Sequence, residues 1–240
     1  MRINKDSVLF SRPVAHRGLW GGNIIENSIP AYENAVSHGY PIEIDVYCTT
    51  DGVLMSFHDK SLKRMTGADG FIYEKSFAEL NKLSLLNSGQ KIPTLDQVLE
   101  CVDGKVPLLI ELKDQPDDSY IEKFVVRMKN YKGEFAVQAF NPLYINKVKK
   151  LAPEFIRGIL GTHEKVDGTT PFTRFIIRKL PLNFLIKPDF ISYNHTALPL
   201  KKRKTKNKFI FAWTFTDQLS ADRALSHADN VIFENFIPKK

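Results

Sequence analysis

Short apolar runs recur along the chain, separated by stretches whose apolar positions return at helical spacing. Val14–His16 reads as a strand that ends in a Gly turn. Ser28 caps a helix to about His38, with Pro30 tolerated in its first turn and Gly39 ending it. Pro41–Val46 is the next strand, Thr49-Thr50-Asp51-Gly52 a turn, and Val53–Phe57 a further apolar run. A parallel neighbour needs a crossover of about a dozen residues, which Tyr47–Gly52 cannot supply. Val53–Phe57 therefore folds back antiparallel on Ile42–Val46 and returns His58 to the level of Glu43 and Asp45.

Residues Leu62–Gln90 are polar and irregular, with one short helical pattern at Phe77–Leu83. Thr94-x-x-Gln97 is a capping box that opens the helix Leu95–Val102. Strands are expected at Val106–Leu112, Phe135–Ala139, Ile156–Leu160, Phe190–Tyr193, Phe209–Trp213 and Val231–Phe233. Helices are expected at about Ser119–Asn130, Pro142–Leu151 and Gln218–His227. Without the hairpin strand, the alternation amounts to a (β/α)8 TIM-type barrel. The expected organisation is one barrel domain over 1–240, with a short β-hairpin and a small insertion at 60–92 after the second barrel strand. Chemistry in such barrels lies at the C-terminal ends of the strands, where His16, Arg17, Glu43, Asp45, Glu111, Lys113, Gln138 and Trp213 fall.

The 240 residues are 43% hydrophobic and 25% charged, ordinary for a folded protein. The formal charge of +7 speaks to anionic partners, not to fold. Cys48 and Cys101 stand in no metal or CxxC spacing, which fits a reducing compartment. The N-terminus has no signal-peptide h-region and no apolar run reaches membrane-spanning length, so the expected location is cytoplasmic.

Glu43 and Asp45, two apart on a strand, project from one face within an apolar run. Like charges held that close call for a cation. Glu111, ending the run that begins at Val106, supplies a third carboxylate, and Lys113 a positive charge toward a bound phosphate. An all-carboxylate set favours one hard divalent cation, Mg²⁺ or Ca²⁺. His16 and His58 are the candidate general acid and base, and Arg17 offers a planar fork for phosphate oxygens. His195 also ends a strand, close enough to reach the mouth, but reads first as a structural residue and is not counted in the site.

The basic run Lys201–Lys208 lacks interleaved aromatics for stacking on nucleic acid and reads as a solvated loop, with weak attraction to an anionic membrane surface as the alternative. Phe172–Ile186 could lie on lipid as an amphipathic helix, but Pro181 interrupts it, so packing on the outside of the barrel is the expectation.

His16-Arg17-Gly18, Glu26-Asn27, Glu43-x-Asp45, Asp51-Gly52, His58-Asp59, Ile92-Pro93-Thr94-Leu95, Glu111-Leu112-Lys113 and Trp213-Thr214 together resemble the glycerophosphodiester phosphodiesterase family over nearly the whole chain. The resemblance implies a metal held by Glu43, Asp45 and Glu111, His16 and His58 as the acid–base pair, and Arg17 and Lys113 on the phosphate. It also implies that Glu26, Gln138 and Trp213 line the substrate pocket. The expected substrate is a small glycerophosphodiester, cleaved to glycerol 3-phosphate and an alcohol such as choline or ethanolamine. The alternatives are a lysophospholipase D or phospholipase-like lyase on the same scaffold, and a catalytically silent module that binds anionic surfaces. The chain departs from the family pattern at Ile25, at Ala139 and at the last strand, which runs into Glu234-Asn235 where Thr-Asp is usual.

Overall fold

The computed structural model describes residues 2–165, 169–201 and 205–239. Eight parallel strands pair around a ring: β1 (Val14–His16), β2 (Ile42–Cys48), β4 (Leu108–Leu112), β5 (Phe135–Ala139), β6 (Arg157–Gly161), β7 (Phe190–Asn194), β8 (Phe209–Phe215) and β9 (Asn230–Phe233). The β1–β2 pairing closes the circle, so the molecule is a (β/α)8 barrel with one extra strand. That strand, β3 (Leu54–Ser56), is antiparallel to β2, with Val46 opposite Ser56 and Tyr47 opposite Met55. Val46 also pairs Leu112 of β4, so β3 occupies the other flank of β2, beyond the short β1. The Phe57 amide donates to the Asp45 carbonyl at 3.1 Å, which sets His58 beside the carboxylates as the hairpin geometry requires.

Alternation along each strand divides the core. Outward residues such as Ile42, Ile44, Val46, Ile110, Val137 and Ile191 join the large layer beneath the helices. These helices include α2 (Ile29–Ser37), α5 (Leu95–Val102), α6 (Tyr120–Lys129) and α7 (Pro142–Leu151). Inward residues Val14, Leu109, Ala136, Phe190, Phe211 and Ile232 fill the lower barrel. Leu9 and Phe10 of the short α1 (Val8–Ser11) plug its N-terminal end, Phe10 meeting Phe209 edge-on at 5.0 Å. Two residues beyond each inward apolar position stands a residue with a polar side-chain atom: His16, Glu111, Gln138, Ser192, Trp213 and Glu234. A period of two carries these six strands from an apolar floor to a polar mouth, whereas β2 is acidic at both levels (Glu43, Asp45) and β6 is apolar at both (Gly158, Leu160).

The stretch after β3 is more ordered than its composition suggests. Met65 of the short helix α3 (Lys63–Thr66) and Leu80 of α4 (Phe77–Leu80), with Leu62, Ile72 and Leu85 of the segments around them, are buried with Tyr47, Met55 and Phe57. Phe172–Ile186 also differs from expectation. Pro181 splits it into α8 (Pro171–Lys179) and α9 (Asn183–Ile186), and each helix buries one residue, Ile177 and Ile186 respectively. Phe172, Phe175 and Phe184 are exposed, so outer-barrel packing takes up only one side. The final helix α10 (Gln218–Ala224) ends earlier than His227. Of the basic run, Lys202, Arg203 and Lys204 lie outside the described residues.

Candidate active site

Glu43 and Asp45 project together from β2 into the barrel, and Glu111 on β4 lies in register with Asp45. One carboxylate oxygen from each falls within 4.8 Å of the others, and all three residues are buried. Three acids face two cations here. Lys113 Nζ lies 2.8 Å from Glu111 Oε1 and 3.2 Å from Asp45 Oδ1. Arg17 Nε lies 3.9 Å from Asp45 Oδ2, and the Arg17 amide donates to Glu43 Oε2 at 3.2 Å.

The cations do not neutralise the cluster. Burial, followed by the Asp45 and Glu111 charges, raises the Glu43 carboxyl well above its ordinary range. Burial raises Glu111 as well. For Asp45 burial pulls upward too, but Lys113, His58 and Arg17 hold it well below the usual carboxylate range. Arg17 Nε donates no hydrogen bond, and Asp45 Oδ1 accepts none of good geometry despite the nearby ammonium. Three buried oxygens, one left without a donor, and two carboxyls that burial pushes toward protonation fit a hard divalent cation.

The backbone bends to build this corner. Arg17 (φ 59°) and Asn27 (φ 49°) both adopt the left-handed conformation, and the Asn27 amide donates to the Arg17 carbonyl at 3.0 Å. Between them Gly18 (φ 85°) passes so close to α2 that a Cβ there would lie 2.8 Å from the Ala31 Cβ. Asn27 Nδ2 donates to Asp45 Oδ2 at 2.9 Å, and Asn27 Oδ1 accepts from the buried Tyr32 hydroxyl at 2.8 Å. The second Asp45 oxygen is thereby fixed by a chain that reaches into the helical layer.

Each histidine has a carboxylate on Nδ1. His58 Nδ1 lies 2.7 Å from Asp59 Oδ1, and His16 Nδ1 lies 2.6 Å from Glu234 Oε2. An ionised carboxylate only accepts, so in both rings Nδ1 carries a proton and is the donor. Burial and the Lys113 charge push His58 down to about 4, although Asp45 and Asp59 pull the other way. It is therefore neutral at pH 7.

Glu26, 8% exposed, faces arginines. Its Oε1 accepts from Arg17 at 2.9 Å and from Arg64 on α3 at 2.6 Å. Arg64 also bonds both Asp59 oxygens, at 2.6 and 3.0 Å. One guanidinium thus ties the carboxylate behind His58 to the carboxylate behind Arg17. Gln138 and Trp213 stand at the mouth with Gln138 Oε1 and Trp213 Nε1 buried and unpartnered, as is Ser192 Oγ on β7. Phe140 meets Trp213 edge-on at 5.9 Å. His195 turns to Phe215, ring centroids 4.6 Å apart.

Sequence reasoning placed the three acids, both histidines, Arg17 and Lys113 at one mouth, and the structure brings them together. It missed Glu234, Ser192 and Arg64. The period-two signal runs through Ile232 to Glu234 and through Phe190 to Ser192. Arg64 had no such signal, because an irregular segment carries it.

Comparison with known proteins agrees with this geometry. The profile of the Glycerophosphoryl diester phosphodiesterase family matches residues 16–237. The glycerophosphodiester phosphodiesterase of Caldanaerobacter subterraneus subsp. tengcongensis is 34% identical over 238 residues, covering 92% of this chain and 93% of that one. Glycerophosphodiester phosphodiesterase 1 of Rattus norvegicus is 29% identical over 240 residues, covering 84% of this chain and 70% of that one. The solved structure of an Oleispira antarctica phosphodiesterase in complex with the product sn-glycerol-3-phosphate has a TM-score of 0.74 at 23% identity, over 92% of each chain. That likeness is one of fold.

Proposed function

We propose a reaction for this chain on the premise that it belongs to the glycerophosphoryl diester phosphodiesterase family and is a phosphoric diester hydrolase. It hydrolyses small glycerophosphodiesters such as glycerophosphocholine or glycerophosphoethanolamine to sn-glycerol 3-phosphate and an alcohol. The observation that carries this reading is the buried cluster of Glu43, Asp45 and Glu111, with a carboxylate-braced histidine on each of two neighbouring segments.

Glu43, Asp45 and Glu111 would hold one divalent cation, Mg²⁺ or Ca²⁺. Bound there, a cation would supply Lewis acidity for a phosphate and for a nearby hydroxyl. Arg17 and Lys113, both beside Asp45, direct positive charge to the remaining phosphate oxygens. Glu26 acts through Arg17, holding its fork in place. His58, neutral and with Nε2 free, accepts the proton of the attacking hydroxyl or water. His16, held by Glu234 through Nδ1–H, enters the step as the imidazolium and delivers its Nε2 proton to the leaving alkoxide. The unpartnered Gln138, Ser192 and Trp213 atoms suit hydroxyls of the glycerol or the alcohol. We read 60–92 as an insertion on a single barrel domain. The two free cysteines support a cytoplasmic setting. No helix among the described residues is long and apolar enough to cross a membrane.

The test is release of glycerol 3-phosphate from glycerophosphocholine, in EDTA and then with Mg²⁺ or Ca²⁺ restored. Release that returns with the cation is expected. No release with any cation overturns the choice of substrate, and turnover of a lysophospholipid in its place would favour the lysophospholipase D reading, for which the Phe140–Trp213 pair at the mouth supplies apolar surface.

A further inference from the structure

The connection between β6 and β7 carries chemistry that hydrolysis of a small diester does not use. From Thr169 to Lys187 it contains four cations, Arg174, Arg178, Lys179 and Lys187, and no aspartate or glutamate. Phe172 is 73% exposed and Phe175 51% exposed. At 100° per residue, Phe172, Phe175 and Lys179 form one stripe of α8, with Arg178 beside it. Ile177 lies on the opposite side, against the barrel. Exposed aromatics flanked by cations are the pattern of a helix that lies in a bilayer interface.

α8 sits at the rim of the barrel mouth. The Ile177 carbonyl lies 3.0 Å from where a Cβ on Gly161, the last residue of β6, would be. The Tyr193 hydroxyl, near the end of β7, donates to the Arg178 carbonyl at 2.9 Å. Ile176 and Leu180 close a small gap with Phe140, the aromatic that faces Trp213. A cleft of about 360 Å³ separates the outer side of α8 from the strand end, lined among others by His163, Lys165, Arg174, Phe175 and Lys179, with Glu164 as its acid among the described residues.

We infer that α8 docks the mouth rim onto a lipid bilayer that contains anionic headgroups. Phe172 and Phe175 enter the interface, and Arg178 and Lys179 face the phosphates. The net charge of +7 acts in the same direction. Binding requires no catalysis, so it is read independently of the reaction proposed above.

The test is co-sedimentation of the full chain with phosphatidylcholine vesicles, with and without phosphatidylglycerol. Binding is expected only when phosphatidylglycerol is present, and it should weaken as salt rises. The double variant Phe172→Ser/Phe175→Ser should lose about tenfold or more in affinity. Lys179→Gln should lose about fivefold. Leu219→Ser, an exposed leucine on α10, should bind as wild type does. Thermal melts that match wild type show that the variants are folded, as the exposure of both phenylalanines predicts. Three results would overturn the inference: no sedimentation at low salt, undiminished binding by the double phenylalanine variant, or concentration-dependent self-association without vesicles that this variant abolishes. The last would assign the face to a second copy of the chain.

Discussion

Removal of the Glu234 carboxylate is the sharpest probe of the histidine pair. Its Oε2 lies 2.6 Å from His16 Nδ1, in a part-buried contact. Burial tends to raise the Glu234 carboxyl, but the hydrogen bond and charge of His16 bring it below its ordinary value. A hydrogen bond to a charged group contributes about 1.5–3 kcal/mol, against about 0.5–1.5 for a neutral one. Glu234→Gln keeps an acceptor for Nδ1–H and therefore the tautomer, but loses the charge. The difference of about 1–1.5 kcal/mol predicts a fall in kcat of about 5–15-fold. Glu234→Ala frees the ring to rotate and to change tautomer, with an expected loss of about 10–100-fold, as for other groups that orient a reacting imidazole. The assay is initial-rate release of glycerol 3-phosphate across a substrate series. KM should stay within about twofold, because Glu234 acts through His16 and not on the ground-state phosphate. The melting temperature should move by only a few degrees, about 2–4 °C per kcal/mol for a chain of this size. Wild-type kcat in the alanine variant, or a change confined to KM, would refute the assignment of His16 as a proton donor held by Glu234.

Arg64→Ala releases both Asp59 and Glu26 and should lower kcat by about tenfold or more while the fold persists, since Arg64 lies on a partly exposed helix; a full steady-state analysis beside a thermal melt separates the two effects. Acid unfolding should steepen below the ordinary carboxylate values of 4.5 and 3.8. Glu26, Asp59 and Glu234 all titrate lower when folded, so their stabilisation is complete above those values and is lost as pH falls through the depressed ones; Arg64→Ala should flatten that limb in denaturant melts. Glu43 and Glu111 have the opposite sign, their raised carboxyls costing stability as pH rises toward neutral, so Mg²⁺ or Ca²⁺ should raise the melting temperature more at pH 8 than at pH 5, and Asp45→Asn should remove the gain. Gly158→Ala places a Cβ 2.1 Å from the Phe190 ring in the barrel floor and should destabilise by about 1–3 kcal/mol in urea titration; stability equal to wild type would mean the floor is looser than its packing indicates.

The barrel, the hairpin and the acid–histidine mouth were legible along the chain because each rests on a local rule. Strand and helix follow from the period of apolar positions, as Thr94 with Gln97 opening α5 and Ser28 opening α2 illustrate. Glu43 and Asp45 share a face because side chains alternate on a strand, and the short Tyr47–Gly52 link forces β3 back beside them. The same alternation carries Ile232 to Glu234, so that residue too was readable once the barrel interior was recognised.

Contacts between segments distant in sequence were decided only by the tertiary structure. Arg64 reaches Glu26 across 38 positions and His16 reaches Glu234 across 218, and no periodicity encodes which carboxylate a given side chain will meet. The polar composition of 60–92 concealed a small core, because its apolar residues are spaced to suit Tyr47 and Phe57 and not one another. Whether Phe172–Ile186 packs or lies exposed depended on how much surface the barrel offers α8, and Ile177 takes what there is. A strand's period determines which way a residue faces; closure of the ring determines what it faces, because only then do the C-terminal ends of all eight strands converge on one mouth.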